Sequence, residues 1–363
     1  MSTPLHILHL THEGGEAGST VSIALLARAQ REAGHRVTVG CPPGTWLAEL
    51  ARDAGLAHVP VEFRSTSAAA RAIRALAASG RVDVVNAHSS RDRAACRRLR
   101  LAGRLPPALV MTRRGMPMSS PVSAVLSGFA ADRTIAVSRA VARALVRRGT
   151  PPWRISVVHN AVDLARVDQP VREEEREAAR RAIGMEPGRP VIGVVARRKD
   201  HDVLIRALRH VPEPVTLCCV GFTPDARLRA LAAAAAPHRV VFLAFARAVR
   251  PFYEWFDVAA LATRHEGLSQ ALLEAMALGK AVVTTASGGN TDLCTDGEDS
   301  LLVPSRDRAA RAAALARLLG DAALRARLGA AARARVRERF TIERTRQGTD
   351  AVYAAALRRR GRA

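Results

Sequence analysis

Twice along this 363-residue chain, short apolar runs alternate with longer amphipathic stretches, and that rhythm restricts the fold more than any other feature. The first series is LHILHL (5–10), RVTVG (36–40), LAHVPV (56–61), VDVVNA (82–87), ALVMT (108–112), RTIAVS (133–138) and ISVVH (155–159). Each run is near-continuously apolar, as a strand covered on both faces must be. Stretches such as STVSIALLARAQREAG (19–34), closed by Gly34, read as the intervening helices. A polar break, HNAVDLARVDQPVREEE (159–175), reads as a linker. The rhythm then resumes through PVIGVVA, VTLCCVG, RVVFLAF, FDVAALAT, AVVTT and SLLVP. Regular alternation predicts an α/β protein of two Rossmann-like, doubly wound parallel-sheet domains, residues 1–165 and 166–340. Residues 341–363 read as a C-terminal helix packing back toward the first domain.

Composition then removes several function classes. The formal net charge of +23 invites a nucleic-acid reading, but it is spread evenly, about +12 over residues 1–165 and +11 over 166–363, and aromatic residues are only 4%. With little to stack on bases and no concentrated basic tract, no nucleic-acid partner is expected. Five scattered cysteines suit a reducing compartment and make no metal-binding pattern, so no metal site is expected. No secretory leader or uninterrupted apolar span is visible, which predicts a cytoplasmic protein. Arg93, Arg97, Arg100 and Arg104 fall at helical spacing. They read either as a solvated helix face or as peripheral contact with anionic lipid at the inner face of the plasma membrane.

Five segments carry candidate chemistry, each at the carboxyl end of an expected strand, where open α/β sheets bind ligands. In THEGGEAGS the glycines at 14, 15 and 18 do not fit GxGxxG; the loop is either a tight turn or a place for close backbone approach to a ligand. His88, just past VDVVNA, is either a structural histidine or a hydrogen-bond partner for a sugar hydroxyl. Arg197, Arg198 and Lys199 in VVARRKD form either a solvated basic turn or an anion site ahead of a helix start. Arg113 and Arg114 in MTRRGMPMSSP can meet an acceptor phosphate or form an interdomain salt link.

The fifth segment, RHEGLSQALLEAMALGK, puts Glu266 before a helix and Glu274 inside it, with Ala, Leu and Met around it and Gly279 at its end. A carboxylate buried among apolar neighbours needs partners. An internal arginine or the adjacent hydroxyls of a ribose would each serve. Glu266 can take hydroxyl donors above the helix N-terminus, where the amides near Gly267, Leu268 and Ser269 favour phosphate.

On these residues the chain resembles the retaining, nucleotide-sugar-dependent family 4 glycosyltransferases of the GT-B fold, two facing Rossmann-like domains with a cleft between them. The resemblance covers nearly the whole chain and is most specific at Glu266 and Glu274 in HEGLSQALLEAMALGKAVV, supported by EAGHRVTV, VSRAVARAL, VVHNAVD, VVFLAF, SGGNTD and SLLVP. It implies that Glu274 holds the ribose hydroxyls and Glu266 orients the donor sugar or its phosphate. It also implies that Lys199 with Arg197 or Arg198 neutralises the diphosphate, Gly15 lies near the phosphates and His88 beside the transferred sugar. His88, Glu266 and Lys199 are then the catalytic candidates. Arg113 and Arg114 are the acceptor-binding candidates, and the acceptor is a cell-surface glycan or lipid-linked sugar. No metal or cofactor is required on this reading. The chain departs from the family pattern at Asp200, where glycine usually follows the lysine, at Ala161 and at Asp292, and its arginine-to-lysine gap is short. A nonhydrolysing UDP-sugar epimerase and a noncatalytic nucleotide-sugar-binding protein are the competing readings.

Overall fold

The computed structural model describes residues 3–79, 81–117 and 120–361. Met118 and Ser119 of the MTRRGMPMSSP segment, and the outermost residues of the expected terminal domains, lie outside the described residues. The chain divides into two compact units, Met1–Ala161 with Ile342–Ala363, and Val162–Thr341.

The first unit is built on a seven-stranded sheet of β1 (His6–Leu10), β2 (Arg36–Cys41), β3 (Ala57–Pro60), β4 (Val84–Ala87), β5 (Ala108–Arg113), β6 (Arg133–Ala136) and β7 (Ile155–Val157). Their order is β3-β2-β1-β4-β5-β6-β7 and every pairing is parallel. The second unit has β8 (Val191–Val195), β9 (Thr216–Val220), β10 (Arg239–Leu243), β11 (Val258–Leu261), β12 (Ala281–Thr285) and β13 (Leu301–Val303) in the order β10-β9-β8-β11-β12-β13, again all parallel. These are the strands the apolar runs predict. Near-complete burial of β4, β5, β9, β11 and β12 explains why their sequences lack alternation.

Both orders reverse direction once, between β1 and β4 and between β8 and β11. Chain leaving neighbouring strands at such a point turns to opposite sides and opens a crevice at their carboxyl ends. The glycine loop and His88 flank the first crevice. ARRKD and RHEG flank the second.

Two local expectations change. The REEE segment, read as linker, begins the helix Glu173–Ile183. Three glutamates in its first turn and Arg180 and Arg181 in its last complement the helix dipole, and Ala179 and Ile183 supply a buried face. The arginine stripe is not a free face. Arg97 Nη1 bonds the Ser123 and Ser127 hydroxyls at 2.8 and 3.1 Å, Arg100 pairs with Asp132 at 3.1 Å, and Arg93 reaches the carbonyls of His88 and Thr112. Helical spacing correctly groups Arg93, Arg97 and Arg100, which elements from distant sequence cover, whereas Arg104 lies beyond the end of the helix Ser90–Leu101 and is exposed.

The last helix, Ile342–Arg359, belongs to the first unit. Its Val352, Tyr353, Ala356 and Leu357 share a core with Ile7, Val84, Ala108, Val110 and Ile135. Burying such side chains stabilises by roughly 1.5–3 kcal/mol each. The Tyr353 hydroxyl also accepts from Asn86 Nδ2 at 2.7 Å. Among the described residues no helix is long and apolar enough to cross a membrane.

Candidate functional site

In the second unit the decisive element is the helix Gln270–Ala277. Ser269 caps it, its hydroxyl accepting from Leu272 N at 3.3 Å, and Gly279 ends it at φ +71°. Leu272, Leu273, Ala275, Met276 and Ala277 are buried, and Glu274 keeps only part of its surface. Among the described residues no hydrogen bond or ion pair reaches the Glu274 carboxylate. Burial pushes its carboxyl up to about 7, opposed by the charge of Arg166. Arg166 is turned to the Arg247 carbonyl at 2.6 Å, and acts on Glu274 through its field. The internal-arginine explanation for Glu274 therefore lacks a contact.

Lys199 and Glu266, expected from separate loops, are brought together: Nζ lies 3.3 Å from Oε2. Adjacency of β8 and β11 is the cause, since each residue lies shortly beyond the end of one of these strands. A second tie joins the same loops. Asp200 accepts from Arg264 Nε and Nη2 at 3.2 Å, so the aspartate standing where glycine is usual anchors the basic loop to the Glu266 loop. Of the two neighbouring arginines, Arg198 pairs with Asp225 at the start of helix Ala226–Ala233. Arg197 is exposed, with no side-chain partner among the described residues.

The backbone around Glu266 is held by the glycines of SGGN. Gly289 N donates to Glu266 O at 3.0 Å, and a Cβ on Gly289 would meet Gly267 O at 1.7 Å. Gly267, Leu268 and Ser269 are buried under this contact. Below, Arg311 is 1% exposed, its Nη2 on the Thr285 hydroxyl at 3.2 Å and its Nη1 without a partner. It adds a fixed positive charge near Asp200.

In the first unit, Gly14 is packed and Gly15 is open. A Cβ on Gly14 would meet Thr45 Oγ1 at 2.6 Å, whereas nothing lies within 4 Å of one on Gly15. Asp92, fully buried, accepts from Ser89 N at 2.7 Å and from His12 N at 3.2 Å, and the Thr11 and Ser89 hydroxyls are 2.7 Å apart. These contacts fix the loop after β1 against the residues after His88. His88 is 4% exposed, with Nε2 2.9 Å from His9 Nδ1 and Nδ1 buried without a partner. Burial first, then the charge of Arg114, holds its imidazole well below the ordinary histidine value.

Arg113 and Arg114 separate, as consecutive residues of an extended chain do. Arg114 Nη1 is held by Asn160 Oδ1 at 2.8 Å. Arg113 is 8% exposed with no side-chain hydrogen bond or ion pair among the described residues; burial, then Arg93, Arg97 and Arg148, depresses it to about 9. Among the described residues no group of three or more His, Cys, Asp and Glu can hold a metal ion.

Sequence reasoning missed His9, Gln30, Asp92, Arg264 and Arg311. Only Asp92 carried a local signal, Ser89 followed three residues later by an acid, which is a capping box.

Residues 17–166 match the family described as Glycosyltransferase Family 4, and residues 189–321 match that described as Glycosyl transferases group 1. The D-inositol 3-phosphate glycosyltransferase of Xylanimonas cellulosilytica is 35% identical over 245 residues, 64% of this chain and 58% of that protein. The lipopolysaccharide core biosynthesis mannosyltransferase LpcC of Rhizobium leguminosarum bv. viciae is 30% identical over 216 residues, 56% of this chain and 60% of that protein. The matched stretch thus spans somewhat over half the length of these curated relatives. Among solved structures, Anabaena HepE in complex with UDP-glucose superposes with a TM-score of 0.85 at 19% identity, covering 96% of this chain and all of that one. WaaG, involved in lipopolysaccharide biosynthesis, superposes with a TM-score of 0.71 at 17% identity, covering 95% of this chain and 99% of that one.

Proposed function

Since the chain belongs to the family 4 glycosyltransferases, we propose that it transfers a sugar from a nucleoside diphosphate to a cell-surface glycan or lipid-linked acceptor, with retention. The observation that carries this reading is Glu274: a carboxylate set among apolar side chains with no bond to it among the described residues, in a unit whose crevice is lined by Lys199 and Glu266. A ribose diol supplies the two missing donors. Lys199 and Arg197 seat the diphosphate, with the amides of Gly267, Leu268 and Ser269 at the helix N-terminus. Glu266 orients the sugar. In the first unit His88 takes a sugar hydroxyl and Gly15 allows close approach of the phosphates.

The acceptor oxygen bonds to the anomeric carbon as the bond from that carbon to the diphosphate breaks. The electron pair leaves with the diphosphate, which takes the acceptor proton. The charge growing on the diphosphate is what Lys199, Arg197 and the helix amides stabilise. A panel of radiolabelled nucleotide sugars, with and without membrane extract, tests the reading. Acceptor-dependent transfer is expected; donor isomerisation alone would make the protein an epimerase, and binding alone a noncatalytic receptor.

Glu274 gives a pH prediction. Its folded value near 7 exceeds its ordinary 4.5, so the unfolded chain ionises first as pH rises. Glu274's own contribution to the stability of the nucleotide-free protein should therefore be fully present below about pH 4.5, be lost between about 4.5 and 7, and be absent above. Glu274→Gln should abolish that part of the slope, read as melting temperature against pH. Ribose donors favour the ionised form, so UDP affinity should rise through about pH 7. In the glutamine variant it should be about tenfold or more weaker, from hydrogen bonds to a charged group worth roughly 1.5–3 kcal/mol. Wild-type affinity there would remove Glu274 from the site.

Arg113, with three arginines acting on it, only Asp92 opposing them and no ion pair among the described residues, supports an anionic acceptor. Arg113→Ala should raise the acceptor KM about tenfold while leaving nucleotide affinity unchanged, since a charge-assisted bond is worth roughly 1.5–3 kcal/mol. An unchanged acceptor KM would place the acceptor elsewhere.

A further inference from the structure

His9, Gln30 and Asp350 form one line of hydrogen bonds that ends on His88. His88 Nε2 lies 2.9 Å from His9 Nδ1, His9 Nε2 lies 2.8 Å from Gln30 Oε1, and Gln30 Nε2 donates to Asp350 Oδ1 at 3.0 Å. His9 and Gln30 are 1% and 0% exposed. The line gathers residues from β1, the helix Gly18–Glu32, the loop after β4 and the helix Ile342–Arg359, all within the first unit.

Its protons can be assigned from one end. The Asp350 carboxylate, which also accepts from Arg346 Nη1 at 2.8 Å, has only acceptors to offer. Gln30 must therefore turn its amide NH₂ toward Asp350 and its oxygen toward His9. That oxygen only accepts, so His9 carries its proton on Nε2. Burial holds His9 near 4 and His88 well below its ordinary value, so both rings are neutral. His9 Nδ1 is then a bare lone pair, and the proton between the rings belongs to His88 Nε2. What remains on His88 is an unprotonated Nδ1, the atom that is buried without a partner.

We propose that Asp350, Gln30 and His9 are positioning residues that lock His88 in its Nε2–H tautomer, so that Nδ1 is offered as a hydrogen-bond acceptor to a hydroxyl of the donor sugar. The identity of that ligand rests on the glycosyl-transfer reading; the tautomer does not. A fixed lone pair accepts from a hydroxyl and repels a phosphate or carboxylate oxygen, so it selects which part of a nucleotide sugar lies there. A site built to bond a hydroxyl also rejects an analogue lacking it, because its own buried polar atom is left unpaired.

The test is a long-range ¹H–¹⁵N correlation spectrum of protein labelled with [¹⁵N]histidine, with His9→Gln and His88→Gln assigning the signals. In the free protein both rings should show a proton on Nε2 and none on Nδ1. A proton on His88 Nδ1, or a charged ring, at neutral pH overturns the proposal. Asp350→Asn frees the Gln30 amide to turn over and should move His88 toward the Nδ1–H form; an unchanged spectrum in the folded variant also overturns it. Should that variant fail to fold, the wild-type spectrum decides alone. Next, UDP, UDP-glucose, UDP-N-acetylglucosamine and GDP-mannose are titrated. At least one nucleotide sugar should shift His88 Nδ1 while UDP alone does not; if none does, the ligand half of the proposal falls, and label transfer judges the wider function separately.

Discussion

Lys199→Ala is expected to lower turnover about 10² to 10³-fold in single-turnover label transfer, the loss typical of one preorganised charge-stabilising donor. On the proposed reaction the effect should fall on kcat more than on nucleotide affinity, because the leaving diphosphate carries more charge in the transition state than in the bound donor. The substitution also removes the cation 3.3 Å from Glu266, so part of the loss comes through the orientation of that carboxylate. Lys199→Arg should restore only a fraction. A planar guanidinium does not reproduce a compact ammonium that lies 3.3 Å from Glu266 and, on the proposed reading, meets a phosphate as well. Unaltered single-turnover rates in Lys199→Ala would take the basic loop out of the chemistry.

Gly289→Ala is expected to be the most damaging single methyl group that can be added to the second unit's crevice. Its Cβ would lie 1.7 Å from Gly267 O and 3.1 Å from the Leu268 Cα, both backbone atoms that no rotamer change can move. Gly288 beside it, at φ +58°, puts its own Cβ position 2.3 Å from Glu266 O, so neither residue can shift to relieve the other. Overpacking of this kind costs about 3 kcal/mol, which for a unit this size lowers the melting temperature by roughly 6–12 °C. UDP affinity should fall as well, since the displaced backbone carries Glu266 and the helix amides. Gly320→Ala, where nothing lies within 4 Å, serves as control and should leave both unchanged. A melting temperature within about a degree of wild type for Gly289→Ala would mean that the two loops are not in contact in solution.

Legibility in the sequence followed the range over which each constraint acts. β9, VTLCCVG in the sequence, is legible because burial on both faces is written into consecutive residues. The pairing of Lys199 with Glu266 was only half legible: each stood at the end of an expected strand, but their contact depends on β8 lying beside β11, which is set by the winding of the chain. The line from Asp350 to His88 was not legible at all. Gln30 and Asp350 are 320 positions apart, and nothing near either announces a polar partner inside an apolar interface. Asp200 was read as a departure from a pattern. Its bond to Arg264 gives it a structural use, one that spacing alone could not supply because Arg264 lies 64 residues away.

The return of the helix Ile342–Arg359 to the first unit constrains how this protein can be recombined with its relatives. The second unit, Val162–Thr341, is an insertion within the first, whose chain is interrupted after Ala161 and completed from Ile342 onward. Grafting a new donor preference by exchanging everything after the midpoint would also replace Tyr353 and Asp350, stripping Asn86 and Gln30 of their partners. A chimaera spliced at both junctions keeps those partners and should fold; one spliced at a single junction should not.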